Sequence, residues 1–275
     1  MSKLCSYQFP LNFIFVSVLS SIKALVVIFI FKIDYHSDFK LFFYLLRAIF
    51  MFELDLVNLE ELNSKTIDGR RFYDTPDGLS YPSVTTVTGI LSKDDIQAWR
   101  MRVGEKRADE ITRAATSRGN KVHKLAELYV KNELKEQQNL FEEKKTTPEL
   151  MFERLSKVLD RKLGVINAVE APLYSDQLRV GGRVDLIAEW DGVPSIIDFK
   201  TSSKPKRDEW IKGYYLQSSA YAAMYEERTG IAIDQIVIAI AVENLEVQVF
   251  VKEPSDYIQE FIDLRKSYDI IHPDD

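Results

Sequence analysis

Two aspartates and a lysine carry the chemistry this sequence can do. Asp191-Gly192 is a strong two-residue hairpin turn between strand-like runs at 178–190 and 193–201. That turn sets Trp190 opposite Val193, and counting back sets Asp185 opposite Asp198. Carboxylates directly opposite each other have Cβ atoms roughly 5 Å apart. Like charges so placed repel, and apolar neighbours raise the cost. A divalent cation between them removes it. Lys200 lies two residues past Asp198 and so shares its face of the strand. Such a trio can hold Mg²⁺, orient a water and stabilise negative charge growing on a phosphate, which is the chemistry of phosphodiester hydrolysis. Glu170, on the preceding strand, can add a further carboxylate. A bare D-x-K triplet is common, and a cross-strand ion pair explains it equally well, so its surroundings must decide.

The elements that hold these residues are legible around them. Asp68-Gly69 and Asp77-Gly78 are turn signals enclosing a short hairpin with Arg71-Phe72-Tyr73. Hydroxyls at Ser83, Thr85 and Thr86 stand before a helix, and Ser92 has the form of an N-cap, with Asp95 three residues on. Residues 93–135 predict two or three helices, with breaks near Gly104 and at Arg118-Gly119-Asn120. The last of these carries His123, on one face with Glu127, above an apolar stripe of Val122, Leu125, Ala126 and Tyr129. Residues 131–146 are polar and predict a loop or an exposed helix end. Thr147-Pro148 opens another helix that Gly164 should end. Strands follow at 166–174, 178–190 and 193–201. Then come a helix at 208–228 stopped by Gly230, a hairpin of 235–243 with 246–252, and a last helix from Pro254 to about Tyr268. This order predicts an α/β layer fold with a mixed sheet.

Bulk composition narrows the classes. The net charge is −6, which argues mildly against a purely basic nucleic-acid binder, although metal enzymes need carboxylates and a basic groove can be local. The lone Cys5 excludes an intramolecular disulfide framework and any Cys-only metal or iron–sulfur site within one chain. The first fifty residues differ in texture: they hold nine of the sixteen Phe and none of the eleven Gly. Residues 11–31 have about the length of a membrane span, but Lys23 near the middle would cost roughly 3 kcal/mol there. Two readings follow for 1–50: a membrane anchor, or a start placed too early with Met51 as the true first residue. The Phe-, Ile-, Leu-, Lys- and Ser-rich, Gly-free composition favours the second, and contact with a membrane is expected only if 1–50 is truly translated.

Three runs decide the surroundings of the triplet: Gly182-Arg183-Val184-Asp185, Ile197-Asp198-Phe199-Lys200-Thr201-Ser202 and Gln217-Ser218-Ser219-Ala220-Tyr221. Together with the helical His123, they resemble the RecB-type exonuclease branch of the PD-(D/E)xK nuclease superfamily, and are similar to phage exonucleases and the mitochondrial genome maintenance exonuclease. Pro82-Ser83-Val84-Thr85 and Lys204-Pro205-Lys206 add to the likeness, which covers about residues 70–225. The resemblance implies a restriction-endonuclease-like α/β core, a central mixed sheet flanked by helices, with an N-terminal helical segment. Residues 51–275 would form this domain, with the helical segment at 93–163 and the catalytic core at 165–268. It implies Mg²⁺ (or Mn²⁺) held by His123, Asp185, Asp198 and the Phe199 carbonyl, with Glu170 a further candidate. Lys200 would act on the attacking water or the transition state, with Gln217 and Tyr221 pointing at the site from one helix face.

DNA, entered at single-stranded ends, is the implied substrate, with phosphate contacts from Ser83, Thr85, Arg118, Lys121, Lys204 and Lys206. Trp99, Tyr73 and Trp210 are the aromatics best placed to stack on bases, each equally a core candidate. With no P-loop, the chain would work alone or beside a separate helicase or single-strand-binding protein. The implied setting is the cytoplasm (a host's, if phage-encoded), in replication, recombination or degradation of DNA. A structure-specific endonuclease on the same fold and a non-catalytic DNA-binding module are the alternatives.

Overall fold

A five-stranded sheet, its strands hydrogen-bonded side by side in chain order, forms the centre. The computed structural model describes residues 52–134 and 145–273, so the readings made on 1–50 and on 135–144 lie outside the described residues. The sheet strands are β4 (Leu163–Ser175), β5 (Val180–Trp190), β6 (Val193–Ser202), β7 (Gln235–Val242) and β8 (Gln248–Lys252). All neighbours are antiparallel except β6 and β7, which run parallel and are joined by helix α5 (Lys212–Thr229). A parallel pair needs such a crossover, since a tight turn cannot return the chain to the same end of the sheet. Before the sheet come a small antiparallel sheet of β1 (Asn63–Ile67), β2 (Arg70–Asp74) and β3 (Ser80–Pro82), and helices α1 (Val84–Thr88), α2 (Lys93–Val103), α3 (Glu105–Val130) and α4 (Thr147–Lys162). Helix α6 (Ser255–Ile271) closes the described chain. This is the restriction-endonuclease-like α/β architecture with a mixed sheet.

The sheet is buried on both faces. On one, Ile196, Ile236, Ile238, Ile240 and Val242 pack with Tyr215, Leu216, Ala220 and Met224 of α5 and Phe261 of α6. On the other, Ile197, Phe199, Val237, Ala239 and Ala241 pack with Val122, Ala126 and Val130 of α3 and Leu155 and Leu159 of α4. Alternate residues of β7 therefore feed opposite cores, and the strand reads as a continuous apolar run rather than an alternating one.

The β5–β6 hairpin has the predicted register. Trp190 pairs with Val193 and Leu186 with Ile197. Asp191 (φ 53°) and Gly192 (φ 80°) both have the left-handed backbone that this tight turn requires. Pro194 sits at the second position of β6, opposite Glu189. Capping follows the sequence in part. The Ser83 hydroxyl accepts from the Thr86 N–H at 3.0 Å to open α1, and the Glu149 carboxylate accepts from the Thr146 N–H at 2.7 Å to open α4. Ser92 stands at the start of α2 without a side-chain cap bond.

One expected break is absent, and another falls two residues earlier than expected. Helix α3 runs straight through Arg118-Gly119-Asn120. Glycine in a helix interior costs about 1 kcal/mol against alanine, and the buried stripe of Val122, Ala126 and Val130 outweighs it. A Cβ at Gly119 would lie 3.6 Å from the Thr201 hydroxyl, so this turn of the helix rides on the end of β6. Gly164 does not end α4 either. The helix stops at Lys162 and the chain enters β4 directly, with Gly164 in the strand against the side chain of Glu189.

Candidate active site

The β5–β6 ladder is paired from the turn back to Leu186 and Ile197, while β6 continues paired with β7 as far as Ser202 and Val242. Asp185 and Asp198 occupy the first position past the end of the β5–β6 ladder. There the Asp185 carboxylate, not a strand backbone, accepts the Phe199 N–H at 2.8 Å. Where the ladder stops, a side chain takes the place of the backbone partner.

Three elements converge on that position. From α3, His123 brings its Nδ1 to 3.5 Å from an Asp185 oxygen, with its ring edge-on to Phe199 at a centroid distance of 6.3 Å. From β4, Glu170 falls opposite Asp185, between the pairs Val169–Leu186 and Ala171–Val184. Each of His123, Glu170 and Asp185 offers one ligand atom, and these atoms lie within 4.8 Å of one another. From β6, Asp198 is 2 % exposed and turns toward protein partners: the Lys200 ammonium donates to its carboxylate, and the Gln217 side-chain amide donates to it at 3.1 Å.

The electrostatics are those of crowded carboxyls. Burial, reinforced by the Asp185 charge, pushes Glu170 up to about 7. Burial also pushes Asp198 up to about 6, against the pull of Lys200. Burial works on Asp185 in the same sense, yet the His123 bond, the Lys200 charge and the Phe199 N–H together hold it below the ordinary carboxylate value. For His123 burial favours the neutral ring, but the bond and charge of Asp185 prevail and raise it. One imidazole and carboxylate oxygens form a donor set that suits a hard divalent cation. A cation there would relieve the proton affinity that crowding gives Glu170 and Asp198.

A second layer braces this cluster. Gln217 reaches Asp198 from α5, and Tyr221 follows about one turn later on the same helix. Tyr221 is buried against Gly182, where a Cβ would lie 2.5 Å from the ring. Gly181 is likewise covered by Tyr73, with a Cβ 2.5 Å from the Tyr73 side chain. The glycine pair before Arg183-Val184-Asp185 is thus a landing for two rings. Gln217 thus meets Asp198, and Tyr221 meets β5 at Gly182.

The expected DNA contacts are scattered. Ser83 is buried as the α1 cap and bridges to Gly181, while Thr85 is exposed with its hydroxyl 2.9 Å from that of Ser83. Arg118 lies 3.9 Å from Glu243. Lys121, two residues before His123, pairs with Glu149 at 2.8 Å. Lys204 and Lys206 follow Lys200 on the turn leaving β6. Lys204 is exposed, and the Lys206 backbone is fastened to the Gln248 side chain. Of the three aromatics, Tyr73 is core, whereas Trp210 is exposed beneath the Arg207 guanidinium, 5.0 Å from its ring centroid.

Two neighbours escaped the sequence reading. The Lys200 ammonium sits 5.0 Å from the ring centroid of Tyr214. Tyr214 lies three residues before Gln217, so the helix-face argument that selected Gln217 and Tyr221 could have reached it. Glu170 has φ 50°, and Arg183 donates to its carbonyl. No sequence pattern announces that backbone.

The model of the PD-(D/E)XK nuclease superfamily matches residues 97–264, and the chain belongs to that superfamily. The matched span contains the histidine, both aspartates, the lysine, the glutamine and the tyrosine described above. A solved structure from Eubacterium rectale, provisionally described there as an exonuclease, is similar at 14% identity and a TM-score of 0.35, covering 53% of this chain and 62% of that one. No curated protein matches the sequence. Among the described residues no helix is long and apolar enough to cross a membrane.

Proposed function

We propose that this protein is a divalent-metal-dependent DNA exonuclease of the RecB-type branch, acting from single-stranded ends with Mg²⁺ or Mn²⁺. The observation that carries the reading is the convergence of His123, Glu170 and Asp185 beside the Asp198–Lys200 pair, at the point where the β5–β6 ladder ends. His123, Glu170 and Asp185 would hold the metal, with Asp198 and the Phe199 carbonyl adjoining. When bound, it would supply positive charge to the scissile phosphate and lower the pKa of a water. Lys200, with its side chain 21 % exposed and its ammonium on the Asp198 carboxylate, can orient that water or balance charge on the phosphate. Asp198 and Tyr214 fix the ammonium, and Gln217 fixes Asp198.

Preference for DNA ends rests on the resemblance of the three motifs and His123. An exposed face of α3 supports a polyanion substrate: Thr112, Arg113, Thr116, Asn120, Lys121 and Lys124 lie on it, and His123 falls on the same helix. Hydroxyl, amide and cationic donors are what phosphate contacts use. Residues 51–275 would form the nuclease domain, and a phage origin with action in the host cytoplasm, alone or beside a helicase or single-strand-binding protein, fits the same motifs. The test is incubation with end-labelled linear and with circular single-stranded DNA, each with Mg²⁺ or with EDTA. Loss of the linear strand alone, and only with metal, is the expected result. Cutting of the circle would make the protein an endonuclease. Binding without cutting in Mg²⁺ and Mn²⁺ would leave a DNA-binding module.

A further inference from the structure

Glu170 combines two features that are seldom found together. It offers a carboxylate to the cluster with His123 and Asp185, and its backbone is left-handed, at φ 50°. Side chains other than glycine rarely adopt that region, and where they do the surroundings hold them there. In the ladder, Val169 pairs with Leu186 and Ala171 with Val184, while Glu170 and Asp185 are skipped. Two residues further along, Pro172 faces Arg183. Proline has no N–H to give to the ladder, so the local pairing is thin. The Arg183 guanidinium reaches back along β4 and donates to the Glu170 carbonyl.

We infer that Arg183 is a positioning residue for the metal site. Its guanidinium clasps the rotated Glu170 peptide and so aims the carboxylate at His123 and Asp185. The other partner of Arg183, Glu61 at 3.2 Å, is exposed, as is much of Arg183 itself (side chains 79% and 38%). A surface pair of that kind contributes little to stability. What the arginine does for the protein is then read in the aim of Glu170 rather than in folding. The inference rests on the reading of His123, Glu170 and Asp185 as metal ligands, and the experiment separates the two.

Mn²⁺ affinity is measured by titration calorimetry on the full chain, with the melting temperature of the metal-free protein recorded beside it. Asp185→Asn and Glu170→Gln test the ligand reading. Both should weaken binding, and unchanged affinity in both would remove that reading. Arg183→Ala should weaken Mn²⁺ binding about tenfold or more, the usual scale for a group that orients a ligand. The metal-free melting temperature should stay close to that of the parent. Arg183→Lys keeps a donor and should recover part of the loss; it also carries the test should the alanine variant fail to fold. In a Glu170→Gln background, Arg183→Ala should cost little more, because the two changes break one device. Glu61→Gln should be silent. Weakened binding in the ligand variants with parental affinity in Arg183→Ala and Arg183→Lys would overturn the positioning role. So would full additivity of the Glu170 and Arg183 changes.

Discussion

Strands β6 and β7 lie side by side, parallel and in register, from Ser195 beside Gln235 to Ser202 beside Val242. Over that length β7 is apolar after its first residue, and every residue from Ile236 on is buried. β6 begins in the same way through Ile196 and Ile197, then places Asp198 beside Ile238 and Lys200 beside Ile240. Both strands have helices on both faces, so apolar residues at those β6 positions could have extended the core. The protein instead carries a carboxylate that burial pushes up to about 6 and an ammonium held against it. Burying charge costs free energy that close pairing only partly returns. One strand stabilises the sheet, and its neighbour gives up stability to place charge where the β5–β6 ladder ends.

That contrast can be broken from either side. Asp185→Asn should show the largest effect, a fall in cleavage rate on the order of a thousandfold, the scale seen when one strong electrostatic contact to a transition state is lost. Single-turnover cleavage of an end-labelled strand reads it. Ile238→Ala should do the reverse. Chemical denaturation should show a loss of about 2–5 kcal/mol for a buried isoleucine truncated to alanine, while cleavage per folded molecule changes far less than in Asp185→Asn. Gly182→Ala tests the brace between the two regions. Its Cβ would meet Tyr221 at 2.5 Å, so a loss of about 1–3 kcal/mol is expected from overpacking, with reduced activity because β5 also carries Asp185.

A subtler effect should appear with pH. The folded protein holds Glu170 up to about 7 and Asp198 up to about 6, above ordinary carboxylate values near 4.5 and 3.8. A raised folded pKa means the folded state binds the proton more tightly than the unfolded one. The stability these two groups contribute is therefore complete below their ordinary values and is lost as pH rises through about 6 to about 7. A bound cation replaces those protons, so Mg²⁺ should raise the melting temperature more at pH 8 than at pH 5. Glu170→Gln should narrow the difference, and an equal Mg²⁺ shift at both pH values would count against carboxylate crowding as its source.

Period and turn chemistry made much of this molecule legible. Asp191-Gly192 sets the register of β5 against β6 without reference to anything distant, and that register alone brings Asp185 and Asp198 to one level. The helix face shared by Gln217 and Tyr221 follows in the same way from spacing. Local preference misleads where tertiary contact overrides it. Gly119 reads as a break, yet α3 is held straight by its packing on β6 and α4. Gly164 reads as a stop, yet it lies in a strand against Glu189. Glu170 was reachable as a carboxylate on the neighbouring strand, whereas its left-handed backbone and its link to Arg183 were not, because both depend on a ladder position that only the assembled sheet defines.

In the proposed function the acidic cluster holds the metal while Lys200 serves the chemistry. Lys200→Ala separates these roles most directly when Mn²⁺ affinity and single-turnover cleavage of an end-labelled single strand are measured on the same preparation. The expected variant still binds Mn²⁺ but cuts about a hundredfold more slowly or worse. Cleavage at the rate of the unsubstituted protein would contradict that role of Lys200.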